Sequence, residues 1–207
     1  VWYQKVASQP FFQCSGKILD VGCGNAGLFY QLPEALPLEK YGIDFSEVAI
    51  DAARERVKGD FRVGDVHHLP YADEFFDRVV STETLEHVDN AAAVVREMAR
   101  VLKPGGKLFI TVPEKSLDMQ ASDWPGGIDL HVNKFSTSDF SSLVCASHLL
   151  VESTGIDERE IWLTACKPDR QLSRFKVGEA PSQSSCLFVN TYYTRFIDRH
   201  YSCNNAL

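Results

Sequence analysis

At 207 residues the chain is long enough for one well-buried domain and short for two. Its 44% hydrophobic and 24% charged content excludes global disorder, and a net charge of −7 without a long basic run argues against a large footprint on nucleic acid or an anionic membrane. No stretch approaches the roughly 20 apolar residues of a membrane-spanning helix, and Val1-Trp2-Tyr3-Gln4-Lys5 does not open a signal peptide, so a cytoplasmic protein is expected.

The chain opens on Val1 rather than Met, which makes a fragment of a longer protein one reading. Residues 1–16 read as an N-terminal lid or helix: Trp2, Tyr3, Phe11 and Phe12 could cover a site or simply pack. From Lys17 onward β-rich runs alternate with helix-like runs, the pattern of a parallel sheet with crossover helices. Strands are predicted at Lys17 to Val21, Lys40 to Phe45, Phe61 to Val63, Arg78 to Ser81 and Lys107 to Val112. Between them, Ser46 to Val57 puts Ala49, Ile50, Ala53 and Val57 on one helical face behind an N-capping Ser46. Asn90 to Leu102 does the same with Val94, Val95, Met98 and Val101, and Lys103-Pro104-Gly105-Gly106 ends it. A helix from Thr137 to Ala146, capped by Ser136 or Thr137, precedes strands at Leu149 to Ser153 and Glu160 to Cys166. Their connection, Thr154 to Arg159, is too short for a parallel crossover and predicts an antiparallel hairpin. Residues 17–168 therefore form one domain. Residues 169–207 are a C-terminal extension, a polar linker followed by an amphipathic segment that could pack on the domain or join two copies in a homodimer.

Six cysteines lie scattered without CxxC pairs, which argues against a zinc site. Gly22-Cys23-Gly24-Asn25-Ala26-Gly27 follows the first strand as G-x-G-x-x-G, a turn that lets backbone pass tightly beneath a bound group. Asp44 closes the second strand, where a carboxylate can accept from a ribose diol, and Asp65 ends the third, where it could accept from an adenine amino group. Asp20 separates the candidate ligands. A carboxylate there would repel the pyrophosphate of a dinucleotide, whereas the ammonium of S-adenosylmethionine (SAM) would compensate it. The three acids share the carboxyl edge of the sheet, where open α/β sheets bind ligands.

Over Gly16 to about Cys166 the chain resembles the class I SAM-dependent methyltransferases. Ile18 to Gly27 is similar to their first motif, Gly42-Ile43-Asp44 to their ribose-binding acid and Gly64-Asp65-Val66 to their adenine contact. Phe76 to Ser81 is similar to their fourth strand, and Leu102 to Gly106 to their turn into the fifth. The resemblance implies a Rossmann-like, doubly wound α/β sheet of seven strands in the order 3-2-1-4-5-7-6, with strand 7 antiparallel. It implies a SAM-binding set of Asp20, Gly22, Cys23, Gly24, Asp44, Phe45, Asp65, Val66 and Ser81. An NAD-dependent oxidoreductase also uses G-x-G-x-x-G and an acid, though Asp20 and the Lys103 to Gly106 turn count against it. A SAM-binding regulatory protein without catalysis stays open.

Methyl transfer to oxygen needs an aligned acceptor and a way to remove its proton. Candidates follow the fourth strand in Glu83-Thr84-Leu85-Glu86-His87 and recur in His131-Val132-Asn133-Lys134-Phe135, giving Glu83, His87 and His131 as catalytic candidates. His67 and His68 are assigned no chemistry, and Trp124-Pro125-Gly126-Gly127 could be a loop facing the site. If residues 83–87 are helical, Glu83, Glu86 and His87 share one face. The pattern Glu-x-x-Glu-His with a distant His resembles the metal-dependent small-RNA 2′-O-methyltransferases and ubiquinone-pathway O-methyltransferases. That resemblance implies Mg²⁺ or another divalent cation on Glu83, Glu86, His87 and His131, acting on a hydroxyl of a small-molecule acceptor.

Overall fold

The computed structural model describes residues 2–117 and 131–169. Seven strands make one sheet in the order β3-β2-β1-β4-β5-β7-β6: β1 (Gly16–Val21), β2 (Leu38–Asp44), β3 (Asp60–Val63), β4 (Phe76–Thr82), β5 (Leu102–Pro113), β6 (Leu150–Asp157) and β7 (Glu160–Cys166). Strands β1 to β5 pair in parallel, and β7 runs antiparallel to both β5 and β6. The expected Rossmann-like arrangement is therefore present, including its reversed strand.

Both faces of the sheet are covered, which is why its central strands read as continuous apolar runs rather than alternating ones. On one face Leu19, Val79, Leu108 and Ile110 pack with Val94 and Met98 of α4 (Ala91–Val101) and with Phe140 and Val144 of α5 (Thr137–Ala146). On the other, Ile18, Val80 and Phe109 meet Phe29 of α2 (Gly27–Tyr30) and Ile50 of α3 (Glu47–Arg56). The three longer helices start where their caps predict. Ser46 Oγ accepts from Ala49 N at 3.3 Å, Asn90 Oδ1 from Ala93 N at 3.0 Å, and Ser136 with Asp139 forms a reciprocal capping box.

The N-terminal segment completes the second face. After α1 (Trp2–Ala7), a 3-10 turn at Pro10–Phe12 sets Phe11 and Phe12 with ring centroids 5.5 Å and 6.0 Å from that of Phe109. Of the two readings for these aromatics, packing holds for Phe11 and Phe12, both buried in the core. Phe12→Ala should cost about 3–5 kcal/mol, the scale for truncating a buried aromatic, as measured by denaturant unfolding. Lys5 Nζ pairs with Asp157 at 2.6 Å and ties α1 to the end of β6.

Two boundaries differ from expectation. β5 begins at Leu102 instead of Lys107, because Leu102 pairs with Phe76 and Gly105 N donates to Lys167 O at 2.8 Å, drawing the glycine turn into the strand. β6 runs on to Asp157, which faces Glu160, so the hairpin turn is only Glu158-Arg159. Among the described residues no helix is long and apolar enough to cross a membrane. The Trp124 to Gly127 loop and the C-terminal extension, with its dimer role, lie outside the described residues.

Candidate functional site

β1 delivers Asp20 to the carboxyl edge almost without solvent contact, 1% exposed, and its Oδ1 has no hydrogen-bond partner among the described residues. Burial first, and then the charge of Asp44, pushes the carboxyl up to about 8. A buried oxygen of this kind suits a cationic donor. The turn that follows is shaped by glycine where it must be. Gly22, at φ +78°, leaves no room for a Cβ because the Thr84 side chain occupies that space. At Gly24, φ +50°, a Cβ would meet nothing within 4 Å, so the turn opens there onto free space. Gly24 N donates to Asp44 Oδ2 at 2.8 Å and Ser46 N to Oδ1 at 2.9 Å, so the acid at the end of β2 is oriented by two amides. Its remaining lone pairs can accept from a diol.

Asp65 stands after β3, exposed, and is held by its neighbours. Its Oδ1 accepts from His67 N at 2.9 Å and meets His67 Nδ1 at 2.7 Å, while Oδ2 lies 3.3 Å from His68 Nδ1. The His67 amide, then the His67 ring, keeps this carboxyl down at about 2. The two histidines that carried no assignment thus orient the third acid. Phe45, 85% exposed directly after Asp44, offers an uncovered ring at the rim, and Val66 is half-buried against the core. Cys23 is buried, which pushes its thiol up. Ser81 is buried too and donates to Val21 O at 2.8 Å, so its hydroxyl fastens β4 to β1 beneath the turn.

Beyond β4 the expected helix is not formed. Glu83 has φ +51°, a left-handed conformation that costs a non-glycine residue energy and is found disproportionately at functional sites. Its amide donates to Thr111 O at 3.3 Å, and its Oε1 accepts from Thr111 Oγ1 at 3.1 Å. Only Leu85–His87 winds, as a 3-10 turn, so the shared face of Glu83, Glu86 and His87 does not exist. The predicted quartet is corrected to a trio: one ligand atom each from buried Glu86, exposed His87 and half-buried His131 lie within 4.8 Å of one another. The two imidazole centroids are 4.9 Å apart.

Asn133 brings His131 there, a role the sequence reading missed. Its Nδ2 donates to Leu85 O at 2.9 Å and to Val88 O at 2.6 Å, and its amide donates to Glu86 O at 3.0 Å. A single asparagine carries no signal for contacts some 45 residues away. Just beside it, Glu114 bridges to Phe135, and Lys115 N donates to Phe135 O at 2.8 Å. Thr84 links this cluster to the glycine turn, since its Oγ1 lies 3.3 Å from Val21 O while its side chain fills the space over Gly22.

Residues 19–110 match the family described as a methyltransferase domain. Over 101 residues the chain is 40% identical to methyltransferase GfsG of Streptomyces halstedii, an alignment covering 45% of this chain and 36% of that protein. It is 37% identical over 120 residues to 27-O-demethylrifamycin SV methyltransferase of Amycolatopsis mediterranei, covering 53% and 44%. The chain thus spans less than half the length of these two relatives. A SAM-dependent methyltransferase structure from Methanosarcina mazei is similar in fold, with a TM-score of 0.66 at 18% identity over 78% of this chain and 99% of that one. The family match runs from β1 into β5, and the complete seven-stranded order surrounds it, so over these residues the chain is similar to the methyltransferase domains and shares their fold.

Proposed function

We propose that this chain transfers the methyl group of SAM to a hydroxyl oxygen of a small molecule. Asp20 carries the donor side of this reading: a buried, neutral-leaning acid with an unfilled acceptor position suits an ammonium and would oppose a pyrophosphate. Asp44 then accepts from the ribose diol and Asp65 from the adenine amino group. Gly22, Cys23, Gly24, Phe45, Val66 and Ser81 complete the proposed donor site around these acids. SAM supplies an electrophilic methyl on a sulfonium. The protein must align the acceptor and take its proton, and the closeness of His87 to His131, with the His87 amide bonded to Thr84 beside the glycine turn, supports these two as the groups for it. A hydroxyl acceptor is further supported by the rifamycin relative, whose name states an O-methylation.

The test begins with S-adenosylhomocysteine, the demethylated product. At pH 7 Asp20 is mostly protonated in the empty protein and ionises against the ligand ammonium. Binding should therefore release about one proton, an effect that fades as pH rises past 8. Calorimetry in buffers of different ionisation enthalpy reads this directly, and absence of saturable binding would sink the donor assignment. Labelled methyl should then enter a panel of catechols and sugars. Tight product binding with no labelled product from any acceptor would favour the regulatory reading.

The trio supports a metal as a second element of this reading. Two imidazoles and one carboxylate fit a divalent ion that keeps open positions for hydroxyls. With Glu83 turned to Thr111, the donor set is richer in nitrogen than Mg²⁺ prefers, and suits Mn²⁺, Fe²⁺ or Zn²⁺ better. Bound there, such an ion would lower the pKa of an acceptor hydroxyl.

A further inference from the structure

The Asp65 side chain is 59% exposed, and the groups that bond it, His67 N and the rings of His67 and His68, belong to its own loop. They orient the acid within that loop but do not place the loop on the sheet. Two outside anchors do. Upstream, Gly64 N donates to Asp44 O at 2.9 Å. Downstream, the C-terminal half of α4 grips both polar groups of the Leu69 backbone: Leu69 N donates to Glu97 Oε2 at 2.9 Å, and Leu69 O accepts from Arg100 Nη2 at 2.9 Å. The same guanidinium donates through Nε to Glu97 Oε1 at 2.7 Å and through Nη2 to Glu97 Oε2 at 2.8 Å. Its Nη1 donates to Tyr71 O at 2.9 Å and to Asp73 Oδ1 at 2.7 Å. Every N–H that a guanidinium offers is thereby engaged. Leu69 and Tyr71 are buried, so the chain beyond the acid is seated by packing as well as by these bonds.

Asp65 to His68 therefore bridge two fixed points, and what a fixed acid gains is selectivity. Adenine presents an N–H donor on its exocyclic amino group. Its 6-oxo counterpart presents an acceptor there and carries its nearest donor on the neighbouring ring nitrogen. A carboxylate held opposite the amino group is repelled by the oxo group, whereas one free to shift reaches the ring donor and tolerates both bases. We propose that Arg100, seated by Glu97, is a positioning residue for base recognition: through Leu69 it holds Asp65 opposite the amino group of the methyl donor's adenine and so sets the preference for an amino over an oxo base. The assignment rests on the SAM reading above, in which Asp65 faces the adenine. Arg100 acts through the loop and not by contact with the ligand. Its planar fork suits the task, because bonds to several acceptors at once fix a backbone more tightly than a single point charge does.

Calorimetry with S-adenosylhomocysteine and its 6-oxo analogue, S-inosylhomocysteine, tests it. The wild type should prefer the first by about 10- to 100-fold, the range for a hydrogen bond to a charged group. Arg100→Gln releases the carbonyls of Leu69 and Tyr71, and the preference should fall below about threefold. Glu97→Gln keeps the shape of its side chain while disrupting the hold on Leu69 N and Arg100, so it should reproduce the fall in a milder background. Lys167→Met is the control. Lys167 Nζ donates to Ala99 O and Leu102 O, each at 2.8 Å, fastening the same end of α4 without bonding the loop. This variant should melt at a lower temperature and keep the wild-type preference. An undiminished preference in Arg100→Gln and Glu97→Gln, or an equal fall in Lys167→Met, would overturn the positioning role. A wild type that binds both probes equally removes Asp65 from the base and the proposal with it, and one that binds neither overturns the SAM reading itself.

Discussion

Asp44→Asn should fold and lose affinity for S-adenosylhomocysteine by about a hundredfold. Asp44 receives Gly24 N on one oxygen and Ser46 N on the other, and each oxygen keeps a lone pair for a ligand. An asparagine amide has one acceptor oxygen. Its NH₂ must therefore confront one of those two backbone N–H groups, which displaces either Gly24 or the entry to α3. The ribose simultaneously loses a charged acceptor, and hydrogen bonds to charged groups contribute about 1.5–3 kcal/mol each. One such loss, toward the upper end of that range, gives the hundredfold scale. Global stability should fall less, by about 1 kcal/mol, because Ser46 still caps α3 through its own hydroxyl. Calorimetry on the folded variant decides the matter, and a loss below about threefold, under 1 kcal/mol, would remove Asp44 from the ribose site.

Excess chelator should abolish methyl transfer and leave S-adenosylhomocysteine binding intact, with Mn²⁺ restoring turnover. His131→Ala should behave as the chelated enzyme does, since it removes one of the three converging ligands. Glu83→Ala provides the contrast. Its carboxylate bonds to Thr111 and lies outside the trio, so the variant should keep its metal requirement and its affinity for Mn²⁺. Activity indifferent to chelation would leave the trio without a metal role, and His87 or His131 would become the general base to test. Loss of Mn²⁺ binding in Glu83→Ala would instead restore the four-residue site read from the sequence.

The sheet was legible because its information is local. Strand-length apolar runs, capping residues such as Ser46, Asn90 and Ser136, and a hairpin connection too short to cross over all act within a few residues of themselves. The positions of the three candidate acids were legible for the same reason, each standing at or just past the end of a strand. What escaped depends on distant partners. Glu83 leaves helical geometry because Thr111 of the neighbouring strand binds both its backbone and its side chain. Asn133 matters only through carbonyls on and just after the 3-10 turn. β5 gained five residues at its start through pairing with Phe76, a contact to which Pro104 and Gly105 give no clue.

The clasp between Glu114-Lys115 and Phe135 has an entropic consequence. Chain leaving the sheet after β5 returns to a point already fastened, with Asn133 pinned to the 3-10 turn and Phe135 to Lys115. Closing a longer excursion between two fixed anchors costs little, about 0.6 kcal/mol for each doubling of its length. A change in the length of chain between these two anchors is therefore cheap in closure entropy, and the anchors themselves keep the sheet and the imidazole pair in register.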